Sequence, residues 1–196
     1  LQDFGLPLQP PLVIWQWYGN DANEDYGLAL LRGETEKRST SDAPEAPESN
    51  WWDRHSAFYV LIKMMTGQES DYEASLQFLD RETATENGMT LSFGRPYLWD
   101  AFDMSQPQNE YGWARSQDAI RAAREEVESY GGTFLVVLMP TKEQVYRDMA
   151  EPLIGTDRMA LLDESLTLMQ GFCAAEELNC LDLLPELQAH ADEQLY

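Results

Sequence analysis

The sequence predicts an α/β fold built on a parallel sheet, and three observations carry that prediction. Leu12 to Trp17, Thr133 to Met139 and Cys180 to Leu184 are continuous apolar runs. Runs of this kind, without strict alternation, mark strands covered on both faces. Stretches with helical spacing separate them, and strand–helix alternation implies layers joined by right-handed crossovers, with helices on both faces of the sheet. The chain has 196 residues, 43% of them hydrophobic, which is enough for one domain with a real core.

The first strand ends in Tyr18-Gly19-Asn20-Asp21. Gly-Asn-Asp is good turn chemistry. It also places a side-chain amide at the carboxyl end of a strand, where ligands bind in open α/β sheets. An Asn there can donate two N–H bonds to an oxyanion.

Residues from Glu34 to Asn50 are polar and include Pro44 and Pro47, which reads as a surface loop. A helix is expected from about Trp52 to Met65, through Phe58, Leu61 and Ile62. Residues 67–113 read as an insertion. It holds a hairpin around Met89–Gly94 and then the aromatic run Tyr97-Leu98-Trp99. Inserted elements at strand ends often form substrate walls.

Next comes a helix with the stripe Ile120, Ala123, Val127 and Tyr130, expected to be capped by Ser116 and stopped by Gly131-Gly132. Thr141-Lys142-Glu143-Gln144 is a capping box opening a short helix through Met149. Its charged residues read either as an exposed pair on a capped helix start or as part of an active-site rim. Met159, Leu162, Leu166, Met169 and Cys173 follow helical spacing, and the methionines read as core filler.

Charge is the outlier of the composition. Thirty-five acidic residues against 13 basic ones give a net charge of -22, and Lys37, Lys63 and Lys142 are the only lysines. Such a chain repels nucleic acid and anionic lipid, both polyanions. No apolar stretch approaches the ~20 residues that cross a bilayer. The start, Leu1-Gln2-Asp3-Phe4, has neither an initiator Met nor a signal-like core, so the chain reads as part of something longer.

Cys173 and Cys180 are too few for a disulfide framework and lack zinc-site spacing. They read as buried free thiols, with one helix–strand disulfide as the alternative. No metal or other cofactor is expected. The two histidines, His55 and His190, read as structural or exposed. His55 adjoins Ser56, but neighbouring helical residues do not face each other. His190 sits four residues after Glu186, as an ion pair on a solvated helix would. Asp100 and Asp103 are close in sequence, and nothing further marks them as a catalytic carboxylate pair.

The apolar strand ending in Tyr18-Gly19-Asn20-Asp21 resembles the third conserved block of the SGNH/GDSL hydrolases. The stretch Leu135-Val136-Val137-Leu138-Met139-Pro140-Thr141-Lys142-Glu143-Gln144-Val145-Tyr146 resembles the fourth strand and following helix of that fold. It is similar to a Pro-Thr-Lys-Glu-x-Val-Tyr stretch in members linked to exopolysaccharide O-acetylation. Phe172-Cys173 and Asn179-Cys180-Leu181-Asp182-Leu183-Leu184-Pro185 resemble its last helix and strand. Glu193-Gln194-Leu195-Tyr196 resembles the residues before its final block. The resemblance covers most of the chain apart from the polar loop and the insertion.

This resemblance implies a three-layer, flavodoxin-like α/β/α domain with sheet order 2-1-3-4-5, of which strands three, four and five are here. The expected arrangement is a single, incomplete SGNH-like domain over residues 1–196. The family's Gly-Asp-Ser nucleophile block is missing, and the chain stops before its Asp-x-x-His block. In the implied parent, Ser attacks a short acyl ester, His acts as base and then acid, and Asp orients His. The substrate would be an O-acetyl group on carbohydrate. Asn20 maps to the oxyanion-hole Asn, with Gly19, Lys142 and Tyr146 as candidate substrate contacts. The isolated chain is expected to be inactive.

A reading from a different class is a non-catalytic, acidic carbohydrate-binding or interaction module, with Tyr97, Trp99 and Trp113 as its stacking surface. The resemblance favours an extracytoplasmic setting. Without strand one, the Leu12–Trp17 edge would be open, and such an edge invites self-association.

Overall fold

A computed structural model describes residues 6–36, 81–193 and 195. The helix expected over Trp52–Met65, His55, Ser56, most of the polar loop and the first part of the insertion lie outside the described residues. After a 3-10 turn at Leu6–Leu8, strand β1 (Leu12–Tyr18) leads into helix α1 (Asp21–Leu31). Strands β2 (Glu82–Glu86) and β3 (Met89–Phe93) are followed by α2 (Tyr97–Ala101) and the long α3 (Pro107–Ser129). Then come β4 (Thr133–Met139), α4 (Lys142–Val145), α5 (Arg147–Ile154) and α6 (Thr156–Ala175). Strand β5 (Cys180–Asp182) and α7 (Leu184–Ala189) complete the order.

The three expected strands form one parallel sheet in the order β1-β4-β5. β1 and β4 pair along their whole length, from Leu12 opposite Thr133 to Tyr18 opposite Met139. No strand lies on the outer side of β1 among the described residues. The last strand is shorter than its apolar run suggests. It ends at Asp182, whose carboxylate accepts the Leu184 N–H at 2.9 Å, and Leu184 opens α7 instead.

Burial along β4 alternates. Phe134, Val136 and Leu138 are buried and pack with Trp17, with Ile120, Ala123 and Val127 of α3, and with Leu166, Met169 and Phe172 of α6. Both long helices therefore cover the same face of the sheet. On the other face Leu12, Ile14 and Leu181 remain 47%, 57% and 48% exposed. The mixed α/β arrangement, a three-stranded parallel sheet flanked by helices, is compatible with the expected three-layer α/β/α fold.

The connection from β1 to β4 depends on a close approach of α1 and α3. At Gly112 a methyl group would collide with the Ala22 carbonyl and reach Tyr26 N at 3.1 Å. Side-chain bonds reinforce the contact. Ser116 Oγ donates to Asp25 at 2.5 Å, and Asn23 Nδ2 to Asn109 Oδ1 at 2.8 Å. Ser116 is thus a buried mid-helix residue, not the expected cap. The helix starts nine residues earlier, where Pro107 sits in the first turn with its missing N–H harmless.

The hairpin is where the sequence indicated, but Met89–Phe93 is its second strand. Asn87 and Gly88, with φ of 51° and 83°, make the two-residue turn that joins β2 to β3. Thr83–Ser92 and Thr85–Thr90 hydroxyl pairs line the outer face at 3.1 and 2.9 Å. Leu91 and Phe93 face inward, onto a second core with Leu98, Phe102, Tyr146, Met149 and Leu162.

The capping box at Thr141 is present in full: Gln144 N–H donates to Thr141 Oγ1, and the Gln144 side chain accepts from Thr141 N–H. The helix it opens breaks at Tyr146 (φ −99°, ψ 46°) and resumes as α5. The helix predicted from Met159 to Cys173 is α6, with its apolar stripe buried as expected. Cys173 and Cys180 form a disulfide between α6 and β5. The free-thiol reading is therefore replaced by its alternative.

Gly112→Ala should lower stability by about 2 kcal/mol or more, since the added methyl meets backbone that cannot move without parting the helices. Urea unfolding followed by circular dichroism measures it. An unchanged midpoint would mean that α1 and α3 are not in contact here.

Candidate functional site

The parallel register brings the carboxyl ends of β1 and β4 side by side, so Tyr18 and Met139 sit at one level. Above them lies a crevice of about 590 Å³. Tyr18 and Gln16 form its β1 wall, Met139 and Pro140 its β4 wall, and Lys142 and Glu143 come from the start of α4. Strand β3 and the segment after it supply Thr90, Ser92, Arg95 and Tyr97.

One bond ties the two sides together. The Gly94 N–H donates to Glu143 Oε1 at 3.2 Å, and Glu143 is only 3% exposed. Lys142 Nζ lies 5.5 Å from the centre of the Phe93 ring. Consecutive residues of the hairpin end therefore meet consecutive residues of the helix start. The exposed charge pair envisaged for Lys142 and Glu143 is not what forms, because Glu143 turns inward to a backbone donor.

Arg95 hydrogen-bonds Tyr97. Burial pushes the Tyr97 hydroxyl above its usual range, while the Arg95 charge acts in the opposite direction. Glu143 and Glu24 are both near enough to oppose ionisation of that hydroxyl further. Tyr97 therefore stays a neutral phenol that can donate or accept.

Gly19 is required by packing. A Cβ there would strike the Phe102 ring and approach Ser165 Oγ at 2.5 Å. Asn20 sits at the N-cap of α1, but its side chain makes no capping bond. Its Nδ2 instead donates to Glu24 Oε1 at 2.7 Å. Asn20 is not among the crevice-lining residues, though Glu24 links it to the neighbourhood of Tyr97.

Of the four residues expected at the site, Lys142 lines the crevice. Gly19 and Asn20 lie just beyond the β1 wall. Tyr146 does not join them. It is buried, its hydroxyl donates to the Glu193 carbonyl at 2.8 Å and accepts from Leu195 N–H at 2.7 Å, and it borders a different cavity beside Arg147 and Gln188. That hydroxyl anchors the C-terminal turn.

The remaining candidates are dispersed. His190 is exposed between Glu186 and Glu193, 3.4 Å from each. Asp103 accepts from Ser105 and Gln106 and shapes the turn before α3. Trp113 packs edge-on against Trp17 and Phe172, and Trp99 lies under Arg158 at 4.7 Å. Of the three aromatics proposed as one stacking surface, only Tyr97 reaches the crevice. Among the described residues, no cluster of His, Cys, Asp and Glu could hold a metal ion. No helix among them is long and apolar enough to cross a membrane.

Arg95 and Tyr18 are the site residues that sequence reasoning missed. The available signal was an Arg directly after a predicted hairpin that already bordered the strand ends.

The chain was compared with known protein families, curated proteins and solved structures, and none of them matches.

A second, acidic recess of about 210 Å³ lies beside the start of α1, between Trp15, Trp17, Asp21, Glu24, Asp25 and Ser116. Asp21 accepts the Tyr18 N–H at 3.0 Å, yet burial, aided by the charges of Glu24 and Asp25, lifts its pKa from 3.8 to about 6. The folded state then holds this proton more tightly than the unfolded chain does. Its contribution to stability is largest below about pH 4 and declines as pH rises to about 6. Asp21→Asn keeps an acceptor for Tyr18 and removes the titration. The variant should gain stability relative to the parent across that window, on the order of 2 kcal/mol. Urea midpoints measured from pH 4 to pH 7.5 test it, and a constant difference between the two proteins would refute the assignment.

Proposed function

We propose that this chain supplies the substrate wall and one oxyanion donor of an SGNH-type site for short acyl esters, such as an O-acetyl group on carbohydrate. The observation that carries the reading is the placement of Tyr18-Gly19-Asn20. It follows a parallel strand directly, at the carboxyl edge of the sheet and next to a crevice. Ligand sites of open α/β sheets lie there.

Asn20 has two amide N–H groups, and the bond to Glu24 accounts for one of them. The other can donate to an oxyanion, while the Glu24 bond fixes the amide's orientation. An amide can neither attack an ester nor take its proton, so Ser, His and the acid that orients His must come from residues outside this set. The Cys173–Cys180 disulfide supports an oxidising, extracytoplasmic setting.

The test is hydrolysis of 4-nitrophenyl acetate by the protein in its native form. Asn20→Ala should lower kcat about a hundredfold with little change in KM, as expected for a lost oxyanion donor. The 196-residue chain alone should show no turnover above background. An unchanged kcat in the variant, or turnover by the chain alone, would contradict the reading.

A further inference from the structure

We propose that the recess at the start of α1 binds a primary ammonium with a hydroxyl on the adjoining carbon, the arrangement carried by a 2-amino sugar. The inference does not rest on the acyl-ester reading.

The recess is bordered by Trp15 and Trp17 of β1, by Asp21, Glu24 and Asp25 of α1, and by Ser116 of α3. Spacings of three and four along a helix put the three carboxylates on one face. Each is oriented by one donor. Asp21 accepts the Tyr18 N–H at 3.0 Å, Glu24 accepts Asn20 Nδ2 at 2.7 Å, and Asp25 accepts Ser116 Oγ at 2.5 Å. An ionised carboxylate has about four acceptor sites, so each can take a further donor. Burial, with the charges of Glu24 and Asp25, holds the Asp21 carboxyl up at about 6, and an ammonium placed among the three would relieve that repulsion. Arg115 of α3 senses the Asp25 charge, but its guanidinium lies 2.6 Å from Glu34.

Acids alone do not define a ligand, and the second observation is Trp17. It is 1% exposed, and its indole N–H is buried without a hydrogen-bond partner among the described residues. A buried donor left in this way is costly. Trp17 borders the recess, so a group held there can accept that N–H. The carboxylates call for donors and the indole for an acceptor. An ammonium supplies donors to the acids. A hydroxyl one carbon away accepts from the indole and gives its own hydrogen to a carboxylate. A metal ion answers only half of this, since it accepts no hydrogen bond, and no cluster among the described residues is arranged to ligate one.

Trp15 indicates what carries the two groups. It is half-buried and held edge-on by Phe134, with ring centroids 6.3 Å apart. A fixed indole face suits the C–H face of a sugar ring and attracts an adjacent cation. The recess has about 210 Å³, below the roughly 300–1,000 Å³ of sites for drug-sized ligands. One sugar residue is the size it takes.

The test is a titration of the full chain at pH 7, followed by the Trp17 indole N–H signal in proton–nitrogen NMR spectra. The titrants are glucosamine hydrochloride, glucose, and potassium chloride at the same ionic strength. Glucosamine should move the signal saturably, while glucose and potassium chloride should not. Asp21→Asn keeps the acceptor for Tyr18 and loses the charge, and it should weaken glucosamine binding at least about tenfold. Because that variant is expected to be more stable than the parent at this pH, a loss of binding does not report unfolding. Where Asp21→Asn nevertheless lacks a thermal transition, Glu24→Gln replaces it. Glu126→Gln, at an exposed position further along α3, should leave binding unchanged. Absence of a saturable shift, an equal shift with glucose or with potassium chloride, or undiminished binding in the recess variant overturns the inference.

Discussion

The parallel pairing of β1 with β4 is the constraint on which the rest of the structure depends. Parallel neighbours cannot be joined by a tight turn, so the chain must leave the end of β1, cross over and return to the start of β4. The return leg is α3, and it fits only because α1 lies against it at Gly112 without an intervening side chain. The pairing also sets the level of the strand ends. With Tyr18 opposite Met139, the turns Gly19-Asn20 and Pro140-Thr141 leave the sheet together, and the crevice is the gap between their paths. A register shift of one residue would turn the buried Phe134, Val136 and Leu138 away from α3 and α6.

The crevice needs one further connection, from the hairpin to the sheet. Strands β2 and β3 share no ladder with β1, β4 or β5. The hairpin is held by the second core and by the Gly94–Glu143 bond. A carboxylate buried this deeply is costly unless something donates to it. The Gly94 N–H offsets that cost for Glu143, the acid in the first turn of α4 that points inward.

Much of this was legible in the sequence. The runs at 12, 133 and 180 became the three strands, and the Thr141 box and the Met159–Cys173 stripe formed as read. These signals are local, so they survive without knowledge of the neighbours. What could not be read depended on partners distant in sequence. Ser116 looks like a cap until Asp25, 91 residues away, takes its hydroxyl. The strand Glu82–Glu86 is Glu-Thr-Ala-Thr-Glu, with one small inward residue, and only its pairing with β3 reveals it. Tyr146 followed a helix start that borders the crevice, but the helix breaks at that residue and sends its ring to the C-terminal turn. The pairing of two cysteines seven residues apart turns on the meeting of α6 and β5, which spacing alone does not fix.

Amide hydrogen exchange, resolved by segment, tests the parallel pairing most directly. The amides of β4, bonded on both sides, should exchange slowest. Those of β1 should be protected nearly as well and should lose protection together with β4 as denaturant rises. The hairpin β2–β3 should open at lower denaturant, because it shares no ladder with the sheet. If residues 12–18 exchanged at loop rates while 133–139 stayed protected, β1 would not be part of the sheet. The crevice, and the functional reading built on it, would then have no wall.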